Sequence, residues 1–220
     1  ARFYSKLEKL IKKKKKKINV MQIGGSHIQA GTFSGQIRKR LQQMNGEMNA
    51  GWGYMFPYRM ARTNSPFGYY IRYSGYWRSC RNVQNRQICD LGVGGIAATT
   101  RSEKAELTIL LEKENQLDYR FDEIRLLYEG ENYSVRIDST LLAQSKMEAG
   151  YIDFKLKNRV DSLNIYIQKD KTTDEEFVLH GITTESAPNG IIYHSIGVNG
   201  ADVPATDAAQ SRFGDSGPGN

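Results

Sequence analysis

Apolar residues recur at two different periods along the chain. Over residues 3–16, Phe3, Leu7, Leu10 and Ile11 return at helical spacing among Lys and Glu, which predicts an amphipathic helix. Ile18-Asn19-Val20-Met21-Gln22-Ile23 is short, β-branched and largely apolar, the mark of a buried strand. Gly24-Gly25-Ser26-His27 follows at once, and from Thr32 to Met44 the helical period resumes with Phe33, Ile37 and Leu41 on one face. Strand, glycine turn and helix in that order open a parallel α/β sheet.

From Gly51 the texture changes. Ten aromatic residues fall between Trp52 and Trp77, interleaved with arginine, and Asp90 is the only acidic residue between 51 and 100. Strand-like runs follow over 105–112, 124–128, 133–137, 152–156, 163–167 and 177–180. Ile152, Phe154 and Leu156 alternate with polar neighbours, as do Leu163, Ile165 and Ile167. Strict alternation buries one face and wets the other, which predicts an antiparallel sheet or sandwich. Glu129-Gly130-Glu131-Asn132 marks one of the turns between runs. After Pro188 comes a short apolar strand, 191–196, closed by Gly197-Val198-Asn199-Gly200-Ala201. Residues 202–220 are small and polar without apolar period, so that tail is expected to be disordered.

Length and charge narrow this picture. A chain of 220 residues suits one large domain or a domain with a sizeable insert. Its apolar runs are too short for a membrane helix. It begins at Ala1 without Met or leader, as expected of a processed or trimmed chain. The net charge of +7 comes almost wholly from six consecutive lysines, Lys12 to Lys17. Such a run can grip phosphates or anionic lipid, or can simply be the solvated end of a helix, where the dipole favours cations. Nucleic-acid binding needs basic residues spread over a surface with stacking aromatics, so no nucleic-acid partner is expected. Cys80 and Cys89 form no Cys-x-x-Cys, and three scattered histidines do not make a zinc site, so no metal or cofactor is expected. The two cysteines pair across a hairpin if the protein is exported, or stay buried as free thiols.

Gly24-Gly25-Ser26-His27 carries the candidate chemistry. It lies at the carboxyl end of the first strand, the edge where open α/β sheets bind ligands. A serine held there, at a helix N-terminus, has free amides beside it to receive a developing oxyanion. The alternative is a serine that only caps the helix. Ile23-Gly24-Gly25-Ser26-His27-Ile28-Gln29 resembles the first block of the SGNH (GDSL-like) hydrolase family. Gly51-x-Gly53-x-x-Phe56-Pro57-Tyr58 and Ala61-Arg62-Thr63-Asn64 resemble the following loop in Bacteroidetes members, and Gly197-Val198-Asn199-Gly200-Ala201 resembles the second block. The family often has Asp before the serine, where this chain has Gly25.

The resemblance implies a partial SGNH, flavodoxin-like parallel sheet over 1–62 and 188–201, an α/β fold. It also implies an inserted antiparallel β-sandwich over 63–187, similar to a carbohydrate-binding module. Ser26 is then the nucleophile, the N–H groups of Ser26 and Gly200 the oxyanion donors, and Gly24, Gly25, His27 and Asn199 the residues shaping the turn. The implied activity is an O-acyl ester hydrolase on carbohydrate or peptidoglycan, periplasmic or extracellular. A non-catalytic carbohydrate-binding or adhesion module is the alternative. The family's third block and its Asp-x-x-His block have no counterpart after Ala201. Asp215-Ser216-Gly217 only superficially resembles a trypsin-like motif. His27, His180 and His194 are the base candidates, and none is well placed: His27 adjoins Ser26, and the others fall on strands.

Overall fold

The computed structural model describes residues 2–13, 16–44, 46, 48–84, 90–112 and 117–201. The tail over 202–220 and Cys89 lie outside the described residues. The chain opens with helix α1 (Arg2–Lys13), which buries Leu7 and Leu10 but leaves Phe3 41% exposed. Strand β1 (Lys17–Gly24) pairs in parallel with β13 (Gly190–Gly197), from Lys17 opposite Gly190 to Gly24 opposite Gly197. A short helix α2 (Ser26–Gln29) and a longer α3 (Thr32–Gln42) pack against β13.

Helix α3 corrects the sequence-based face. Phe33 is 60% exposed, and the buried stripe is the polar set Ser34, Arg38 and Gln42, four residues apart. Burying polar groups is tolerable only when each is bonded, and each is. Ser34 Oγ donates to Ile28 O at 3.1 Å. Gln42 Nε2 donates to Gly51 O and Ile191 O at 3.0 and 2.8 Å, while its Oε1 accepts from Tyr119 Oη at 2.8 Å. The Arg38 guanidinium donates to Tyr193 O and lies 4.1 Å above the Trp52 ring. These bonds tie α3 to β13, alongside the partly buried Leu41, which packs against the cluster that holds Ile191.

The rest of the chain is antiparallel. Strands β2 (Gly53–Met55), β4 (Trp77–Arg81), β5 (Ile96–Thr100), β7 (Phe121–Glu129), β9 (Leu142–Glu148), β10 (Tyr151–Val160) and β12 (Phe177–Glu185) make a seven-stranded sheet in the order β4-β5-β12-β7-β10-β9, with β2 also paired to β12. Strands β3 (Tyr69–Ser74), β6 (Lys104–Leu111), β8 (Tyr133–Ile137) and β11 (Ser162–Lys169) make a four-stranded sheet in the order β3-β6-β11-β8. Alternate residues point into one shared core. Phe121, Ile124 and Leu126 of β7 and Phe154 of β10 meet Leu107 and Ile109 of β6 and Ile165 of β11. Half of the aromatic segment joins this core: Trp52, Tyr54, Phe56, Tyr58 and Tyr69 are buried, whereas Phe67 and Tyr76 are 75% exposed.

The fold class expected from the sequence is therefore corrected. The chain is mostly antiparallel β, and among the described residues parallel pairing is the β1–β13 ladder and one isolated bridge between Asn49 and Ile191. It is not an α/β flavodoxin-like fold. The cause is numerical: one strand–turn–helix unit supplies a single parallel ladder, whereas strands β2 to β12 supply antiparallel ones.

Candidate functional site

The carboxyl ends of β1 and β13 bring the two glycine turns together. The parallel register ends with Gly24 opposite Gly197, and Val198 N then donates to Gly24 O at 3.1 Å. A Cβ on Gly25 would lie 3.2 Å from Ala201 O. Segments 24–26 and 197–201 are thus neighbours although some 170 residues separate them in sequence.

Ser26 begins α2. Ile28 N and Gln29 N both donate to Gly25 O at 3.1 Å, so the N–H groups of Ser26 and His27 have no partner within the helix. Gly25 is the N-cap and contributes no side-chain cap. Ser26 and His27 are exposed. Ser26 is the first helical residue, so the reading of its side chain as an N-cap does not apply. Gly200 is exposed with φ +86, a conformation that glycine adopts without the cost a side chain brings. Gly197 meets a different demand: a Cβ there would lie 2.2 Å from Gln29 N. The bare backbone of β13 lets α2 sit directly on it.

Two buried side chains stitch these segments to the loop after β2. Tyr58 Oη donates to Gly197 O at 3.2 Å, and burial pushes the Tyr58 phenol up, keeping it a neutral donor. Gln29 is 3% exposed. Its Nε2 donates to Thr63 Oγ1 at 2.9 Å and to Asn64 O at 2.6 Å, while its Oε1 accepts from Asn199 N at 2.6 Å. Gln29 therefore touches all three stretches that carry the family resemblance. Sequence reasoning assigned it no role; a polar residue just after the helix start gives no sign of partners so far away in the chain.

The end of β4 borders the same turn. Arg81 Nη1 donates to Asn199 O at 3.4 Å, and a Cβ on Gly200 would lie 4.0 Å from Val83 Cγ1. Cys80, just before it, is buried and disulfide-bonded.

The histidines are not gathered at Ser26. His180 lies on β12 and its Nε2 is 3.0 Å from Glu129 Oε1. His194 lies on β13 opposite Met21, three positions before the glycine turn, with Nε2 3.2 Å from Asn19 Oδ1. Burial pushes its pKa down to about 4, and the nearby Arg38 guanidinium adds to this. His27 follows Ser26 on the same turn. Among the described residues, Ser26 Oγ has no hydrogen-bond partner, and no group of three or more His, Cys, Asp or Glu could hold a metal ion.

In comparisons with known proteins, the chain is similar to a solved structure described as a peptidoglycan O-acetylesterase in action, with 21% identity and a TM-score of 0.57. The match covers 90% of this chain and 52% of that one, so the chain spans about half its length. This likeness is one of fold alone. A chitin-binding domain of a chitinase from Pyrococcus furiosus is matched at 13% identity and a TM-score of 0.18, over 54% of this chain and 88% of that one, too low a score for a shared fold. No protein-family model and no curated protein matches the chain.

Proposed function

We propose that this chain carries the nucleophile side of an SGNH-type ester hydrolase site directed at O-acyl groups of cell-wall carbohydrate. Ser26 Oγ is the nucleophile, and the N–H groups of Ser26 and Gly200 receive the oxyanion. Gly24, Gly25, His27 and Asn199 shape the turn. The observation that carries this reading is the parallel register that sets Gly24 against Gly197, beyond which a Cβ on Gly25 would lie 3.2 Å from Ala201 O. The fold shared with a peptidoglycan O-acetylesterase supports an acylated peptidoglycan or related glycan as substrate. In this reading 1–62 and 188–201 form the hydrolase part and 63–187 the inserted sandwich. The disulfide at Cys80 supports a periplasmic or extracellular setting, where such bonds persist. No helix among the described residues is long and apolar enough to cross a membrane.

The placement of the histidines shapes the test. Turnover needs a base within hydrogen-bond reach, to activate the serine against an ordinary ester and water against the acyl-enzyme, and none of the three histidines hydrogen-bonds Ser26 Oγ. With an activated ester such as p-nitrophenyl acetate, the expected product is acetyl-Ser26 that accumulates rather than turns over. The Ser26 Oγ–acyl bond forms, nitrophenolate leaves and the proton passes to solvent. Peptide mapping by mass spectrometry should place the acetyl group on Ser26, and Ser26→Ala should lack it. Mapping is needed because the lysine run also reacts with such esters. Acetyl found on lysines alone would overturn the nucleophile assignment.

The second reading, a non-catalytic carbohydrate-binding or adhesion module, is favoured by that same isolation of Ser26. It expects retention on insoluble peptidoglycan by wild type and Ser26→Ala alike, with no acetyl-Ser26.

A further inference from the structure

We infer that Gln29 and Arg81 are positioning residues that hold the two peptides flanking Asn199, Gln29 the one before it and Arg81 the one that joins it to Gly200, and so aim the Gly200 N–H. The inference rests on the oxyanion reading above for its purpose, but the clamp itself is visible in the bonding. Gln29 Oε1 accepts from Asn199 N at 2.6 Å on one side, and Arg81 Nη1 donates to Asn199 O at 3.4 Å on the other. In a planar trans peptide the C=O of one residue and the N–H of the next point in opposite directions, and the described chain has no cis peptide. Holding Asn199 O toward Arg81 therefore turns the Gly200 N–H away from the end of β4. Gly200 contributes the φ of +86 that this turn requires.

The chemistry of Gln29 suits the task. Its amide orientation follows from its partners, because Asn199 N can only donate and Asn64 O can only accept. A carboxylate could not donate to Asn64 O, and an apolar side chain would remove the partner of both the Asn199 N–H and the Asn64 carbonyl. Gln29 lies three residues after Ser26 on one helical turn. The bond from Asn199 therefore fixes the second oxyanion donor relative to the nucleophile's own helix, and the bonds to Thr63 and Asn64 fix that helix to the loop behind it. Arg81 forms no ion pair among the described residues, and its Nε is buried without a partner. The observed bond of its guanidinium is the one to Asn199 O.

The test uses the full chain, 15N-labelled, as wild type, Gln29→Met and Arg81→Met. Hydrogen exchange reads the Asn199 amide, chemical shift reads the Gly200 amide, and phenylboronic acid reports the assembled site. The boronic acid adds Ser26 Oγ to boron, releases a proton to solvent, and leaves a tetrahedral anion in the oxyanion position. In Gln29→Met the Asn199 amide should lose about tenfold in protection, the expected cost of one hydrogen bond. In both variants the Gly200 amide should shift and the boronate should bind about tenfold more weakly, while near-ultraviolet circular dichroism of the sandwich stays as in wild type. A merely structural Gln29 would lower the melting temperature and leave boronate affinity unchanged, which overturns the inference. If Gln29→Met does not fold, an unshifted Gly200 amide in Arg81→Met overturns it instead. If wild type forms no Ser26 boronate, the esterase reading fails, and unaltered Asn199 exchange in Gln29→Met would separately remove the clamp.

Discussion

Gly197→Ala is expected to destabilise the chain by about 3 kcal/mol or more, at the upper end of what overpacking costs. The new Cβ would lie 2.2 Å from Gln29 N, 2.7 Å from Gln29 Cα and 2.8 Å from Ile28 C. All three are backbone atoms, so no side-chain rotation relieves the contact, and α2 must move off β13. That movement carries Ser26 with it and strains the bond from Asn199 N to Gln29. Gly35→Ala is the control. It sits inside α3, where a Cβ meets nothing within 4 Å, and removing a helical glycine should stabilise by roughly 0.5–1 kcal/mol. Urea unfolding of the two variants should therefore move the midpoint in opposite directions. Equal midpoints would mean that α2 does not rest on the strand as described.

The second large effect is a loss of stability in mild acid through His194. Its folded pKa is about 4 against 6.5 for a free histidine, because burial beside the Arg38 guanidinium penalises the imidazolium. The unfolded chain therefore binds more protons than the folded chain between those values. The associated stability is intact above about pH 6.5, falls as the pH drops, and is gone near pH 4. At 1.36 kcal/mol per pH unit the whole effect is on the order of 3 kcal/mol. His194→Gln keeps a group able to donate to Asn19 Oδ1 but cannot titrate. Its unfolding free energy should fall less than that of wild type between pH 7 and pH 4. Parallel curves would show that His194 is solvated in the folded chain.

What the sequence disclosed followed the clarity of each residue pattern. Period-2 runs such as Ile152, Phe154, Leu156 and Leu163, Ile165, Ile167 were legible because each strand has one buried and one wet face. Strand β9 was not, because Leu142–Glu148 is an edge with almost every side chain exposed and no alternation to read. Strand β5 was hidden by small residues, Ala97 and Ala98, that pack without looking hydrophobic in a run. The face of α3 was misread because Arg38 and Gln42 are buried by bonds to distant carbonyls, while Phe33 faces solvent. The α/β expectation fails because strand, glycine turn and helix predict a parallel sheet where the chain builds one parallel ladder. The glycine turns were legible, since an apolar strand ending in Gly-Gly-Ser and another ending in Gly-Val-Asn-Gly mark sheet ends. The Gln29 bridge was not, because its partners are fixed only by the tertiary fold.

The central claim is that Ser26 and Gly200 share one oxyanion position, and the structure of the phenylboronate complex tests it most directly. The expected result is boron bonded to Ser26 Oγ with one boronate oxygen at roughly 3 Å from both Ser26 N and Gly200 N, the range of a charge-assisted donor pair. A boronate on Ser26 whose oxygens face solvent, with Gly200 N out of hydrogen-bond reach, would contradict it.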